Sequence, residues 1–164
     1  MGDRTGLIFA LVFGLIALSI ANGAEMQKEI PASQVRATIE AGQPAEFDNY
    51  TVAGNLNLSE FKIEGPVHFN STLFQNSVNF DSTVFNGTAY FYNSTFNDDA
   101  DFGYSAFNGD AYFGNSNDYD SGTTFNGIAN FHNSSFNNDA NFYKSAFNDD
   151  AYFYDSAFNG TAYF

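Results

Sequence analysis

From Phe69 onward the chain repeats one order of positions: a small residue, a polar residue, a large aromatic residue, then two or three small or polar ones. The large position is held by Phe69, Phe74, Phe80, Phe85, Phe91, Phe96, Phe102, Phe107 and Phe113, then by Phe125, Phe131, Phe136, Phe142, Phe147, Phe153, Phe158 and Phe164. The steps between rings alternate between five and six residues, so the unit is eleven residues long. On a helix such steps advance about 500° and 600°, which scatters the rings around the cylinder. Small, polar, large is instead the two-residue period of a short strand, with its first and third side chains pointing inward.

The small residue before the ring alternates as well. Before one ring it is Val67, Val78, Ala89, Ala100, Ala111, Ala129, Ala140, Ala151 or Ala162. Before the next it is Thr72, Thr83, Ser94, Ser105, Thr123, Ser134, Ser145 or Ser156. The consensus is A-x-F-x-x-S-x-F-N-x-x. Self-similarity at a fixed period predicts a solenoid, in which no unit buries its apolar face alone and stacking supplies the core.

Units such as A-D-F-G-Y at Ala100 to Tyr104 and A-N-F-Y-K at Ala140 to Lys144 resemble the pentapeptide-repeat family. The resemblance covers residues 52–164 and implies an all-β fold, a right-handed quadrilateral β-helix with four sides to a coil. A fold of this kind does not specify a function. This chain departs from the pattern by one added residue in every second unit, which predicts a coil of 22 residues with a looser corner at each longer unit. A narrow coil of eleven residues is the alternative; it would face two Phe rings with little room, and the chain has no cysteine to staple so thin a rod.

The added residue follows the second ring, where Asn86, Asn97, Asn108, Asn126, Asn137, Asn148 and Asn159 recur and Gln75 is the one substitute. Asn tolerates positive φ and bonds its own backbone, so these are predicted to be corner residues stacked into an amide ladder. The recurring Ser and Thr are read as inward packing positions, since no His or Cys follows the register to make a nucleophile of them.

One interruption breaks the count. Between Phe113 and Phe125 there are seven extra residues, predicted to bulge as a loop at about 114–122. Asp118 and Asp120 in this loop are the candidate calcium ligands, although the loop lacks the full spacing and the bidentate Glu of an EF-hand. Asp98, Asp99, Asp149 and Asp150 would share a corner on non-adjacent coils. The two histidines, His68 and His132, take outward positions with no registered carboxylate and are read as solvated face residues. No cofactor is implied, and no zinc spacing, phosphate loop or catalytic constellation is found.

Before the repeat, residues 1–24 read as a secretory signal peptide: Arg4, an apolar run from Leu7 to Ile20, then the small residues Ala21, Gly23 and Ala24. The run is short for a membrane span, so no stable span is expected after cleavage; a retained anchor is the competing reading. Residues 25–65 are read as an N-terminal cap and an irregular first coil. The cap is a short helix over Gln34 to Ala41, N-capped by Ser33 and ended by Gly42. The first coil carries Phe47, Val52, Leu56, Leu58, Phe61 and Ile63. Residues 66–164 form the regular β-helix. At its end Phe164 is a core position without cover, which suggests end-to-end pairing through the C-terminal coil, as the resemblance also implies; a shortened chain is the competing reading.

A formal net charge of −14, with only Lys144 basic after Lys62, argues against nucleic acid as a ligand. Seven Asn-x-Ser/Thr sequons, at Asn49, Asn57, Asn70, Asn86, Asn93, Asn133 and Asn159, sit at predicted turns or outward positions and are the glycosylation candidates. These features together predict a non-enzymatic, secreted or cell-surface module that binds a protein, an envelope polymer or itself. The candidate face is a column of outward tyrosines, Tyr90, Tyr112 and Tyr163, with Tyr92 and Tyr143 alongside. The alternative is an acidic DNA mimic that inhibits a DNA-binding enzyme such as a topoisomerase, which would require a cytoplasmic chain.

Overall fold

The computed structural model describes residues 27–114 and 122–164. The leader at 1–24 and the candidate ligands Asp118 and Asp120 therefore lie outside the described residues. The chain winds as a right-handed parallel β-solenoid of about six turns, with a single short helix near its beginning.

Each coil has four sides, and the strands on each side pair in parallel with the coils above and below. The first side holds Ala45–Glu46, Val67–His68, Ala89–Tyr90, Ala111–Tyr112, Ala140–Asn141 and Ala162–Tyr163. The second holds Tyr50–Ala53, Leu73–Phe74, Thr95–Phe96, Thr124–Phe125 and Ala146–Phe147. The third runs through Leu56–Asn57, Val78–Asn79, Ala100–Asp101, Ala129–Asn130 and Ala151–Tyr152. The fourth runs through Lys62–Ile63, Val84–Phe85, Ala106–Phe107, Ser135–Phe136 and Ala157–Phe158. Ala89 pairs with Val67 and Ala111, a register of 22 residues; the seven-residue insertion stretches this to 29 where Ala111 meets Ala140. The coil of 22 residues is thus observed, and the coil of eleven is not.

Four ladders of rings fill the interior. On the first side Phe47, Phe69, Phe91, Phe113, Phe142 and Phe164 stack at centroid spacings from 4.8 to 5.5 Å. Rings of the first and third sides meet edge to face across the axis, as Phe91 does with Phe102 at 5.7 Å. From Phe69 to Phe136 every ring of these ladders is buried. Each contributes on the order of 1.5 to 3 kcal/mol of gross burial, so the solenoid is held by its axis rather than by its rim. The inward Ser and Thr are part of the same core: Thr83 Oγ1 donates to the Leu58 carbonyl at 2.7 Å and Ser105 Oγ to the Phe80 carbonyl at 2.7 Å, each reaching back to the preceding coil. Placing a hydroxyl there satisfies it internally, which is why these positions tolerate polar residues where the alternate ones take Ala.

The amide ladder exists, but its backbone does not have positive φ. Asn108 Nδ2 donates to Asn86 Oδ1 and Asn137 Nδ2 to Asn108 Oδ1, both at 2.8 Å, and Asn159 continues the run; Asn97, Asn126 and Asn148 form a second ladder on the second side. The left-handed residues lie instead at the fifth position of each five-residue side: Asn49, Glu60, Ser71, Ser82, Asn93, Tyr104, Asn133, Lys144 and Asp155, with φ between 53° and 62°. There the N–H of the following Ser or Thr donates back to the carbonyl of the ring residue, as Ser94 does to Phe91 at 3.1 Å, closing a tight β-turn. The six-residue sides have an extra residue to round their corner and, apart from Gly54 at φ 89° in the first coil, do without the left-handed step.

The beginning of the rod also corrects two expectations. The helix spans Ala32–Glu40, with Pro31 at its N-cap and no side-chain cap bond; Ser33 is already inside it and does not cap. Pro31 ends the strand Lys28–Pro31, which extends the second side by pairing with Tyr50–Ala53, and its extended ψ of 138° fixes where the helix starts. Gly42 does end the helix, at φ 63°, donating to the Ile39 carbonyl while Gln43 N–H reaches Thr38. Val35 and Ile39 bury one helical face over the first coil. That coil is not irregular: Ala45 pairs with Val67, Leu56 with Val78 and Lys62 with Val84, so the 22-residue register already runs from Ala45, with Val52, Leu58 and Ile63 standing where later coils have Phe. Among the described residues no helix is long and apolar enough to cross a membrane.

Candidate functional site

Among the described residues, the outward aromatic side chains of the repeat fall on the two five-residue sides, the first and the third, which face each other across the rod. Apart from Lys62, the outward strand positions of the second and fourth sides, such as Thr95, Thr124, Ala146, Val84, Ala106 and Ala157, are small or aliphatic. These aromatics thus line opposite edges of the rod.

On the first side the outward column is Glu46, His68, Tyr90, Tyr112, Asn141 and Tyr163. His68 and Tyr90 stack at 4.6 Å, and Tyr90 and Tyr112 at 5.5 Å with 15° between their planes. Asn141 then interrupts the column: it is only 5 % exposed and its Oδ1 accepts the Tyr143 N–H at 2.8 Å. The structure therefore joins Tyr90 to Tyr112 and sets Tyr163, 48 % exposed, two coils beyond Tyr112. Tyr92 is half-buried, and Tyr143 is exposed with Lys144 Nζ 5.8 Å from its ring centre. Tyr112 donates its hydroxyl to Asp110 at 3.1 Å; burial first, and then the Asp110 carboxylate, hold the phenol above its ordinary range. His68 is not a freely solvated residue, since its Nε2 lies 3.9 Å from Glu46 Oε1 beneath the Tyr90 ring.

A second aromatic group on the third side was not visible in the outward columns. His132 stands between Tyr104, edge to face at 4.6 Å, and Tyr154, stacked at 5.2 Å. Its Nδ1 lies 2.8 Å from Asn130 Oδ1, and Asn130 Nδ2 donates to Asp101 Oδ1 at 2.9 Å. The carboxylate fixes the orientation of the amide, and the amide makes Nδ1 the protonated nitrogen. The ring fits because residue 103 is glycine: a Cβ there would stand 2.7 Å from His132 Cε1. His132 thus belongs to an ordered group with a carboxylate in register, which corrects its reading as a solvated face residue. The signal that could have found it is Gly103, the one glycine in a series otherwise reading Ser59, Asp81, His132 and Tyr154.

The acidic pairs accept from side-chain and backbone donors alike. Asp98 Oδ2 accepts from Ser77 Oγ and Asp99 Oδ1 from Ile128 N–H, both at 2.9 Å, and the Gly127–Ile128 turn separates this pair from Asp149 and Asp150 as expected. No group of three or more His, Asp or Glu arranged for a metal is found among the described residues. The insertion begins and ends against the next coil: Thr123 N–H still donates to the Phe113 carbonyl at 2.7 Å, closing the corner across the added residues.

The sequons divide by position. Asn49, Asn93 and Asn133 occupy exposed left-handed corners and Asn57 an exposed strand position. Asn86 donates its side-chain nitrogen to Glu64 Oε2 at 2.7 Å, and Asn159 donates its own to Asn137 Oδ1 in the amide ladder. Asn70 lies in a turn but is not accessible there: it is 6 % exposed, its backbone N–H donates to Asp48 Oδ1 at 2.7 Å, and its own Oδ1 is buried with no hydrogen-bond partner among the described residues.

No curated protein and no solved structure matches the chain significantly. A family model described as pentapeptide repeats matches in nine copies over residues 69–117 and 121–164, on either side of the insertion. With that match and the four-sided parallel solenoid in hand, the chain belongs to the pentapeptide-repeat family.

Proposed function

We propose that this repeat module is a non-catalytic, exported protein of the cell surface that binds a protein, an envelope polymer or another copy of itself. The observation that carries this reading is the first side, where His68, Tyr90 and Tyr112 stack face to face on a flat parallel sheet and Tyr163 extends the same column. Such rings offer a large contact area with a polar tip and lose little conformational freedom on binding, because the stack already holds them. A surface of this form selects by area and shape, which suits an extended polymer or a protein face better than a small molecule.

The test is the triple substitution Tyr90→Ser, Tyr112→Ser and Tyr163→Ser. The positions point away from the ring ladders, so the fold is expected to persist, while sedimentation with cell-envelope fractions or self-association falls. Unchanged binding by a folded triple variant would reject this side as the contact surface. Fractionation of the native protein tests the export half of the reading: recovery from the cytoplasm with Met1 retained would turn the interpretation toward the acidic DNA mimic.

A further inference from the structure

We propose that the third side carries a separate docking site, built on Tyr104, His132 and Tyr154, for an arginine-bearing basic segment of a protein partner. The outward and corner positions of this side include Glu60, Asp81, Asp101 and Asp155 and no Lys or Arg. Arg36 touches the side only at its first coil, through the Asn57 carbonyl, and is paired there with Glu40. The face is therefore anionic, and its charge complement is a cation.

The aromatic group says which cation. Tyr104 is 57 % exposed and Tyr154 58 %, so two phenol rings stand open on either side of the imidazole. Because Asn130 and Asp101 commit Nδ1 to donating, Nε2 is left as an acceptor, and it has no hydrogen-bond partner among the described residues. A guanidinium meets all three features at once: it stacks on aromatic faces, donates N–H to an exposed ring nitrogen, and carries charge toward the carboxylates. An ammonium would satisfy the charge but not the planar stacking. The imidazole is held before any partner arrives, since its ring rests on Gly103 and is braced by both tyrosines. This site is independent of the tyrosine column on the opposite side.

The chain has two histidines, one on each aromatic side, so their ring Cε1–H resonances report the two faces separately. Hexa-arginine peptide titrated into the folded protein is expected to shift the His132 resonance saturably and to leave that of His68 in place. Tyr104→Ser preserves the net charge, and serine already occupies the same left-handed station at Ser71 and Ser82, so the variant should fold normally. Its affinity for the peptide, read at His132, is expected to fall about tenfold, the scale of a lost cation–aromatic contact. The triple tyrosine variant of the first side should bind as the parent does. A His132 resonance that does not move, equal shifts of both histidines, or an affinity unchanged in Tyr104→Ser would each overturn the site, the last two by showing that diffuse charge alone holds the peptide.

Discussion

Phe102 and Phe131 lie one coil apart on the third side with their ring centres 4.8 Å apart and their planes within 5° of parallel. Phe80 stacks on the other face of Phe102 at 5.0 Å, while Phe91 and Phe113 meet it edge on from the first side. Each ring thus has parallel neighbours along the axis and perpendicular ones across it, which is the arrangement in which ring quadrupoles attract in both directions. From Phe69 onward the inner space of the coil is set by ring size, and the repeat of Phe lets each ring stack on the next.

That geometry makes a graded series at one position. Leu58 holds the station of Phe102 in the first coil and is fully buried there, so Phe102→Leu is expected to cost under about 1.5 kcal/mol. Phe102→Ala should cost about 3 to 5 kcal/mol, and Phe102→Asp should abolish cooperative unfolding by placing an unpaired charge on the axis. Urea unfolding followed by circular dichroism ranks the three, and a Phe102→Asp chain that melts like the parent would contradict the ladder.

Much of this was legible in the sequence because a solenoid converts spacing into position. Counting five and six assigned Tyr90 and Tyr112 to one column, and subtracting the seven added residues placed Tyr163 in it too; the pairing of Ala140 with Ala162 and of Asn141 with Tyr163 follows that count. The same count put Asn86, Asn108 and Asn137 in a ladder. What it did not show is where the backbone turns left-handed. Glu60, Tyr104 and Lys144 have φ of 62°, 54° and 59°, yet none is a residue type that marks such a turn; the stacked strands on both sides impose the conformation. Contacts that run diagonally were also hidden. Tyr104 is the fifth residue of its side and His132 the fourth of the next coil, so no single column contains both. The burial of Asn70 and Asn141 escaped for a related reason, since an outward backbone position does not say whether a neighbouring coil covers the side chain.

At the insertion, Gly114 and Gly122 lie flush against the next coil. A Cβ on Gly122 would stand 1.9 Å from the Lys144 carbonyl oxygen, and one on Gly114 would stand 2.1 Å from that of Tyr143. Both neighbours are backbone atoms held in the stack and cannot move aside as a side chain would. Gly122→Ala is therefore expected to destabilise the rod by roughly 1 to 3 kcal/mol, in line with overpacking at other close-packed sites. Gly65→Ala, where nothing lies within 4 Å, is the control and should be nearly silent. Equal melting of the two variants would show that the insertion opens away from the Tyr143–Lys144 corner.

The Tyr112 phenol couples the stability of the first side to alkaline pH. Its pKa is raised in the folded chain, by burial first and then by the Asp110 carboxylate that accepts its hydrogen bond. A folded pKa above the unfolded one means that the unfolded chain loses the proton first as pH rises. The stabilisation is then fully present below the ordinary phenol value of about 10 and is lost as pH climbs through the higher folded value. Tyr152 behaves in the same sense, led by its hydrogen bond to Asp150 at 2.9 Å. Tyr112→Phe removes the titrating proton while keeping the ring that stacks on Tyr90, so thermal melts between pH 8 and about 11 should fall less steeply for the variant than for the parent. Parallel curves for the two chains would mean that the Asp110 contact does not persist in solution, and that the tyrosine column is not held in the geometry the first side needs to act as a contact surface.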